Sequence, residues 1–91
     1  MIQTILIPLT YNGKKISLKK AINWIKKKGY KEYFITKTAD GKKIKKGAHI
    51  RGGYYRFRQS EPLTAYEKKN GWYYATDKLR NGILLVWKYY I

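Results

Sequence analysis

Hydrophobic residues recur along this chain with two periods, and the switch between them marks its elements. Ile2 to Leu9 is apolar and β-branched, with Pro8 near its end and the turn Tyr11-Asn12-Gly13-Lys14 beyond it. Such a run reads as a strand covered on both faces, and therefore as an interior strand of a sheet. From Ser17 to Lys28 the period becomes helical. Leu18, Ala21, Ile22 and Ile25 fall at i, i+3, i+4 and i+7 and form one apolar stripe, while Lys19, Lys20, Asn23, Lys26 and Lys27 take the other faces. Ser17 suits the N-cap and Gly29 the position just past the C-terminus. Lys26, Lys27 and Lys28 suit the negative end of the helix dipole.

After Gly29 the pattern returns to strands. Tyr30 to Lys37 is rich in aromatic and β-forming residues, Asp40-Gly41 is a strong hairpin turn, and Lys42 to Arg51 pairs back as a third strand. Within it Ile44, Ala48 and Ile50 share one face, and Lys43, Lys45, His49 and Arg51 the other. Lys46 interrupts the apolar face, and Gly47 suits a bulge. Gly52-Gly53 leads into Tyr54 to Gln59, with Tyr55, Phe57 and Gln59 on one face and Tyr54, Arg56 and Arg58 on the other. Residues 60–71 form a polar loop with one helical turn around Leu63 to Lys68. Trp72 to Leu79 and Ile83 to Ile91 read as a hairpin across Arg80-Asn81-Gly82. The order β-α-β-β-β-β-β predicts an α+β fold: a mostly antiparallel sheet of five to six strands with one helix packed on one face. At 91 residues, with no repeat and no linker, the chain is expected to be one domain.

Charge changes the picture more than size does. The chain holds 21 Lys and Arg against 5 Asp and Glu, a net charge of +16. Small soluble domains usually carry a magnitude of about 2 to 8. The excess is local: Lys14 to Arg58 contains 16 basic and 2 acidic residues. Such a segment repels itself unless a polyanion is its partner.

Three groups of residues are candidates for contact. The first is a basic strand face, Lys43, Lys45, His49, Arg51, Arg56 and Arg58 with Tyr54 interleaved. Its cations would neutralise phosphates, and its tyrosine would stack on an unpaired base. The plainer reading is a solvated face whose lysines prevent edge-to-edge pairing. The second is the helix set Lys19, Lys20, Lys26, Lys27 and Lys28, which could lie along a nucleic-acid backbone, but more often such a run is the wet side of a helix. The third is aromatic: Tyr54, Tyr55, Trp72, Tyr73, Tyr74, Trp87, Tyr89 and Tyr90. Alternation would send half of these to the core and leave the rest as a stacking platform or a protein interface.

Catalysis finds little footing. His49 is the single histidine, cysteine is absent, and Glu32, Asp40, Glu61, Glu67 and Asp77 are scattered. These residues predict no thiolate or zinc site of the usual type, no catalytic group and no cofactor. Gly52-Gly53 precedes a strand, not a helix, and so does not form a phosphate-binding loop. No apolar run approaches the ~20 residues of a membrane span, and the apolar stripe of the lysine helix is better used in the core than on an anionic membrane surface, so no membrane partner is expected. The first eight residues lack the pattern of a signal peptide.

The segment Tyr55-Arg56-Phe57-Arg58-Gln59-Ser60-Glu61-Pro62, followed by Lys78-Leu79 and Gly82-Ile83-Leu84-Leu85-Val86, resembles a family of small Arg-Phe-Arg-Gln-containing domains of tailed phages and large DNA viruses of eukaryotes. The resemblance covers about the C-terminal 40 residues. It implies a viral or phage origin and a β-rich domain, carries no assigned activity, and nominates Arg56, Arg58 and Gln59, whose role could be folding or binding. The chain departs from the family pattern where Trp87-Lys88-Tyr89-Tyr90-Ile91 continues a strand expected to close on glycine. The expectation from the sequence is therefore a non-enzymatic protein that binds the phosphate backbone of DNA or RNA with little sequence preference, inside the cell, in a virus factory or in a virus particle. The alternative is a virus-particle accessory protein, or an inhibitor of an acidic host protein.

Overall fold

The structure, a computed structural model, describes residues 1–90. Five strands form one antiparallel sheet. In chain order they are β1 (Ile2–Pro8), β6 (His49–Arg51), β7 (Tyr54–Arg58), β8 (Trp72–Lys78) and β9 (Leu84–Tyr90). Their spatial order is β6-β7-β1-β9-β8, so the first strand lies at the centre, as its two-sided apolar pattern predicts. Two short ribbons complete the strands: β2 (Thr10–Tyr11) with β3 (Lys14–Lys15), and β4 (Phe34–Lys37) with β5 (Lys43–Lys46). The fold class read from the sequence is the observed one, an antiparallel sheet with a helix against one face.

Helix α1 (Leu18–Lys27) is bounded where its sequence indicates. The Ser17 hydroxyl accepts from the Lys20 amide at 3.2 Å. At the other end Gly29 takes φ 79°, and the amides of Gly29 and Tyr30 return to the carbonyls of Lys26 and Ile25. This double return satisfies carbonyls that the helix end would otherwise orphan, and its left-handed residue favours glycine. Ala21 and Ile25 are buried against Ile5, Ile7, Tyr55, Phe57, Ile83 and Leu85. Ile5, Ile7, Tyr55, Phe57 and Leu85 lie on one face of the sheet by alternation, with Ile83 just before β9, so α1 covers that face.

Two expectations need correction. The strand expected over Tyr30 to Lys37 begins only at Phe34. The run Lys42 to Arg51 is not one strand: β5 pairs with β4 in a ribbon of its own, while β6 joins the main sheet beside β7. The break falls at Gly47-Ala48 and resets the alternation between the two halves. A Cβ on Gly47 would meet the Tyr33 ring at 3.2 Å, so the chain passes that ring closely there. The helical turn of the polar loop is α2 (Ala65–Lys69), held by a capping box in which Thr64 and Glu67 exchange side-chain to backbone hydrogen bonds, both 3.1 Å.

Candidate nucleic-acid interface

The face of the sheet opposite α1 is open. Its outward residues follow from the pairing register. Arg58 lies beside Thr4, Arg56 beside Leu6 and Tyr54 beside Pro8; His49 lies beside Arg56 and Arg51 beside Tyr54. On the other side of β1, Val86 follows Thr4 and Leu84 follows Leu6, with Thr76 and Lys78 on the edge strand β8. The sheet thus gathers His49, Arg51, Tyr54, Arg56 and Arg58, separated by as many as nine positions in the chain, onto one surface.

This surface is a trough of about 530 Å³, in which Gln3 and Thr4, Arg56 and Arg58, and Val86 and Tyr74 contribute from four strands. A second depression of about 450 Å³ shares Arg51 and Arg56 and adds Leu6 and Tyr54. Segment 59–64 closes one end: Lys88 Nζ donates to the Glu61 carbonyl at 2.8 Å, and the Leu63 amide donates to the Tyr74 hydroxyl at 2.6 Å. The β4–β5 ribbon stands beside the same end. There Thr36 Oγ1 donates to Glu61 at 2.8 Å, and the Arg58 guanidinium lies 5.9 Å from the centre of the Phe34 ring.

The electrostatics of the trough are one-sided. Among the described residues, the carboxylate that pairs with its arginines is Glu61, exposed and 3.9 Å from Arg58. Arg51, Arg56 and His49 have no ion-pair partner among the described residues. An exposed pair at this distance contributes little and leaves most of the positive field in place. Among these residues no three His, Asp or Glu side chains converge on a point that could hold a metal ion. No helix among them is long and apolar enough to cross a membrane.

The other residues singled out in the sequence lie elsewhere. Lys43 and Lys45 are on the ribbon, and Lys45 sits over the Tyr33 ring at 4.0 Å. Lys46, which interrupts the apolar pattern, lines the trough instead, because the break at Gly47 inverts the phase between β5 and β6. Lys19, Lys20, Lys26 and Lys27 are exposed on α1, on the opposite side of the sheet; Lys26 pairs with Glu32 at 3.2 Å. The basic residues therefore form two surfaces, not one.

The expected half-and-half division of the aromatic set does not hold. Tyr55 alone among the eight is buried, with its hydroxyl donating to the Ile16 carbonyl at 2.8 Å. Tyr73, Tyr74, Tyr89 and Tyr90 are exposed; by register Tyr74 and Tyr90 lie on the face opposite α1, and Tyr73 pairs with Tyr89 on the other. Gln59 acts in folding: its Oε1 accepts from the Lys31 amide and its Nε2 donates to the Lys31 carbonyl, both at 2.8 Å. Gln3, Thr4, Lys46 and Val86 are trough residues that the sequence reading did not nominate. Their placement depends on strand order, which no local pattern carries. Comparison with protein-family models, with curated proteins and with solved structures finds no match to this chain.

Proposed function

We propose that this protein is a non-enzymatic nucleic-acid-binding domain, that its open sheet face is the binding surface, and that contacts to the phosphate backbone dominate. The observation that carries this reading is the convergence of Arg51, Arg56, Arg58 and His49 beside Tyr54 and Tyr74 on the face opposite α1, where Glu61 is the carboxylate paired with them among the described residues. Arginine and lysine side chains displace the counterions condensed on phosphates, which gives affinity without sequence preference. A chain with +16 charge would bring such a surface to its polyanion rapidly. The resemblance of the C-terminal segment motivates a viral or phage origin, and with it a place in the infected cell or in the particle.

The test is a salt series of binding to labelled single- and double-stranded DNA and RNA, beside an unrelated basic protein of matched charge. The reading expects micromolar or tighter binding near physiological salt, clearly above the control and falling linearly in log salt. Affinity equal to the control, or independent of salt, contradicts it.

One observation favours a second reading, a particle accessory protein or an inhibitor of an acidic host protein. The β8–β9 hairpin carries exposed tyrosines in cross-strand pairs, with Tyr73 and Tyr89 centroids 5.7 Å apart and Trp72 and Tyr90 centroids 5.4 Å apart. A specific protein interface there would bury about 1,000 Å² or more. Light scattering after size exclusion with the partner present distinguishes it from the first.

A further inference from the structure

Polarity on the open face changes in a step across the sheet. The outward side chains of β7 and β6 are Arg58, Arg56, Tyr54, His49 and Arg51. Between the ends of the trough, those of the two neighbouring strands are Thr4 and Leu6 on β1 and Val86 and Leu84 on β9, with Lys88 farther along β9 held on the Glu61 carbonyl and Lys78 on the edge strand beyond. The first group carries three arginine side chains; the second presents methyl groups. Thr4 and Leu6 are buried and Leu84 and Val86 half-buried, so solvent reaches this floor along β9. Two tyrosines bracket the floor along the strands, Tyr54 beside Pro8 at one end and Tyr74 at the end closed by segment 59–64.

A double helix suits this surface poorly. It presents phosphates on its outside and keeps the faces of its bases stacked on one another. It would satisfy the arginines and leave the methyl floor and both tyrosines without partners. An unpaired strand has the matching polarity, with phosphates along one edge and base faces exposed along the other. Laid with its phosphates over Arg56 and Arg58, about 6.6 Å apart along β7, it directs its bases across β1 and β9. Apolar contact with Leu84 and Val86 then removes base and methyl surface from water together. The tyrosine rings supply stacking partners that tolerate any base.

From this step in polarity we infer that the ligand of the open face is single-stranded nucleic acid, its phosphates on the β6–β7 side and its bases on the β1–β9 floor. The inference rests on the proposed nucleic-acid binding and narrows it to one class of ligand.

The test uses the wild-type protein and three labelled probes read by fluorescence anisotropy near physiological salt: a short oligothymidylate, an abasic strand with the same number of phosphates, and a duplex of the same length. The expected result is binding of the oligothymidylate at least about tenfold tighter than either other probe. Equal affinity for the thymidylate and the abasic strand, or tighter binding of the duplex, overturns the inference and leaves phosphate-directed binding standing. Failure to bind any of the three above a charge-matched control overturns both. A variant gives an independent sign. Val86→Lys adds a cation to the floor, so a surface that reads phosphates alone would bind the thymidylate equally or more tightly. Base contact predicts weaker binding by several-fold, with an unchanged far-ultraviolet dichroism spectrum.

Discussion

Gln59 illustrates how a single side chain can be mistaken for a ligand contact. The Arg-Phe-Arg-Gln segment draws attention to its polar residues as a group, yet the register separates them. Arg56 and Arg58 face the trough, while Gln59 follows the strand and pairs with both backbone groups of Lys31. Its amide stands in for a missing strand residue and fastens the 28–33 connection to β7. Gln59→Ala is expected to lower stability by about 1–2 kcal/mol, because two backbone groups lose their partner. Urea unfolding measures this, and binding to nucleic acid should be unchanged once the variant is folded. Asp40 offers a second residue-scale prediction. The Thr38 hydroxyl and then the Lys42 amide hydrogen-bond its carboxylate and hold its pKa below the ordinary value of 3.8. A depressed carboxylate contributes stability above that ordinary value and loses it as pH falls through the lower folded one. Amide exchange at Gly41 and Lys42 should accelerate as pH drops below 3.8, after correction for intrinsic rates; flat protection there would contradict the assignment.

Elements whose residues repeat one pattern from end to end were legible in the sequence. β1 is apolar on both faces and is central; α1 has one stripe and a cap at each end; β7 alternates and sends its arginines and its aromatic core residues to opposite faces. The run from Lys42 to Arg51 was legible only in part, because the irregularity at Lys46 and Gly47 reads as a bulge within one strand as well as a break between two. The letters on either side of Gly47 fit a single strand, and only the competition between two partners, β4 and β7, divides it. The same break moved Lys46 into the trough and Lys43 and Lys45 out of it. Helix α1 yields a prediction at this scale. Gly29 has a left-handed backbone and open space where a Cβ would stand, so an added methyl meets strain and no clash. Gly29→Ala should destabilise the protein by about 1 kcal/mol through backbone conformation alone. The denaturation midpoint should fall with an unchanged slope; a stability equal to the parent would contradict the capping account.

At the scale of the molecule, the sheet separates two basic surfaces that the sequence presents as a single excess of charge. The helix lysines lie on one side, with α1 between them and the core; the arginines of β6 and β7 lie on the other, beside exposed aromatic and apolar groups. Net charge alone would make the two sides equivalent for a polyanion. The proposed function makes them different, because the trough side offers forked guanidinium donors, stacking rings and a shaped floor. Two double variants separate these accounts, since each removes two positive charges: Arg56→Ala with Arg58→Ala on the trough, and Lys19→Ala with Lys20→Ala on the helix. The measurement is binding of each to a labelled single strand across a salt series, beside the parent. The account predicts that the trough variant loses about tenfold or more in affinity near physiological salt, with a log–log salt slope shallower by about 1 to 1.5, while the helix variant stays within about threefold of the parent. Equal losses from the two variants, or a larger loss from the helix, would contradict the assignment of the open sheet face as the binding surface.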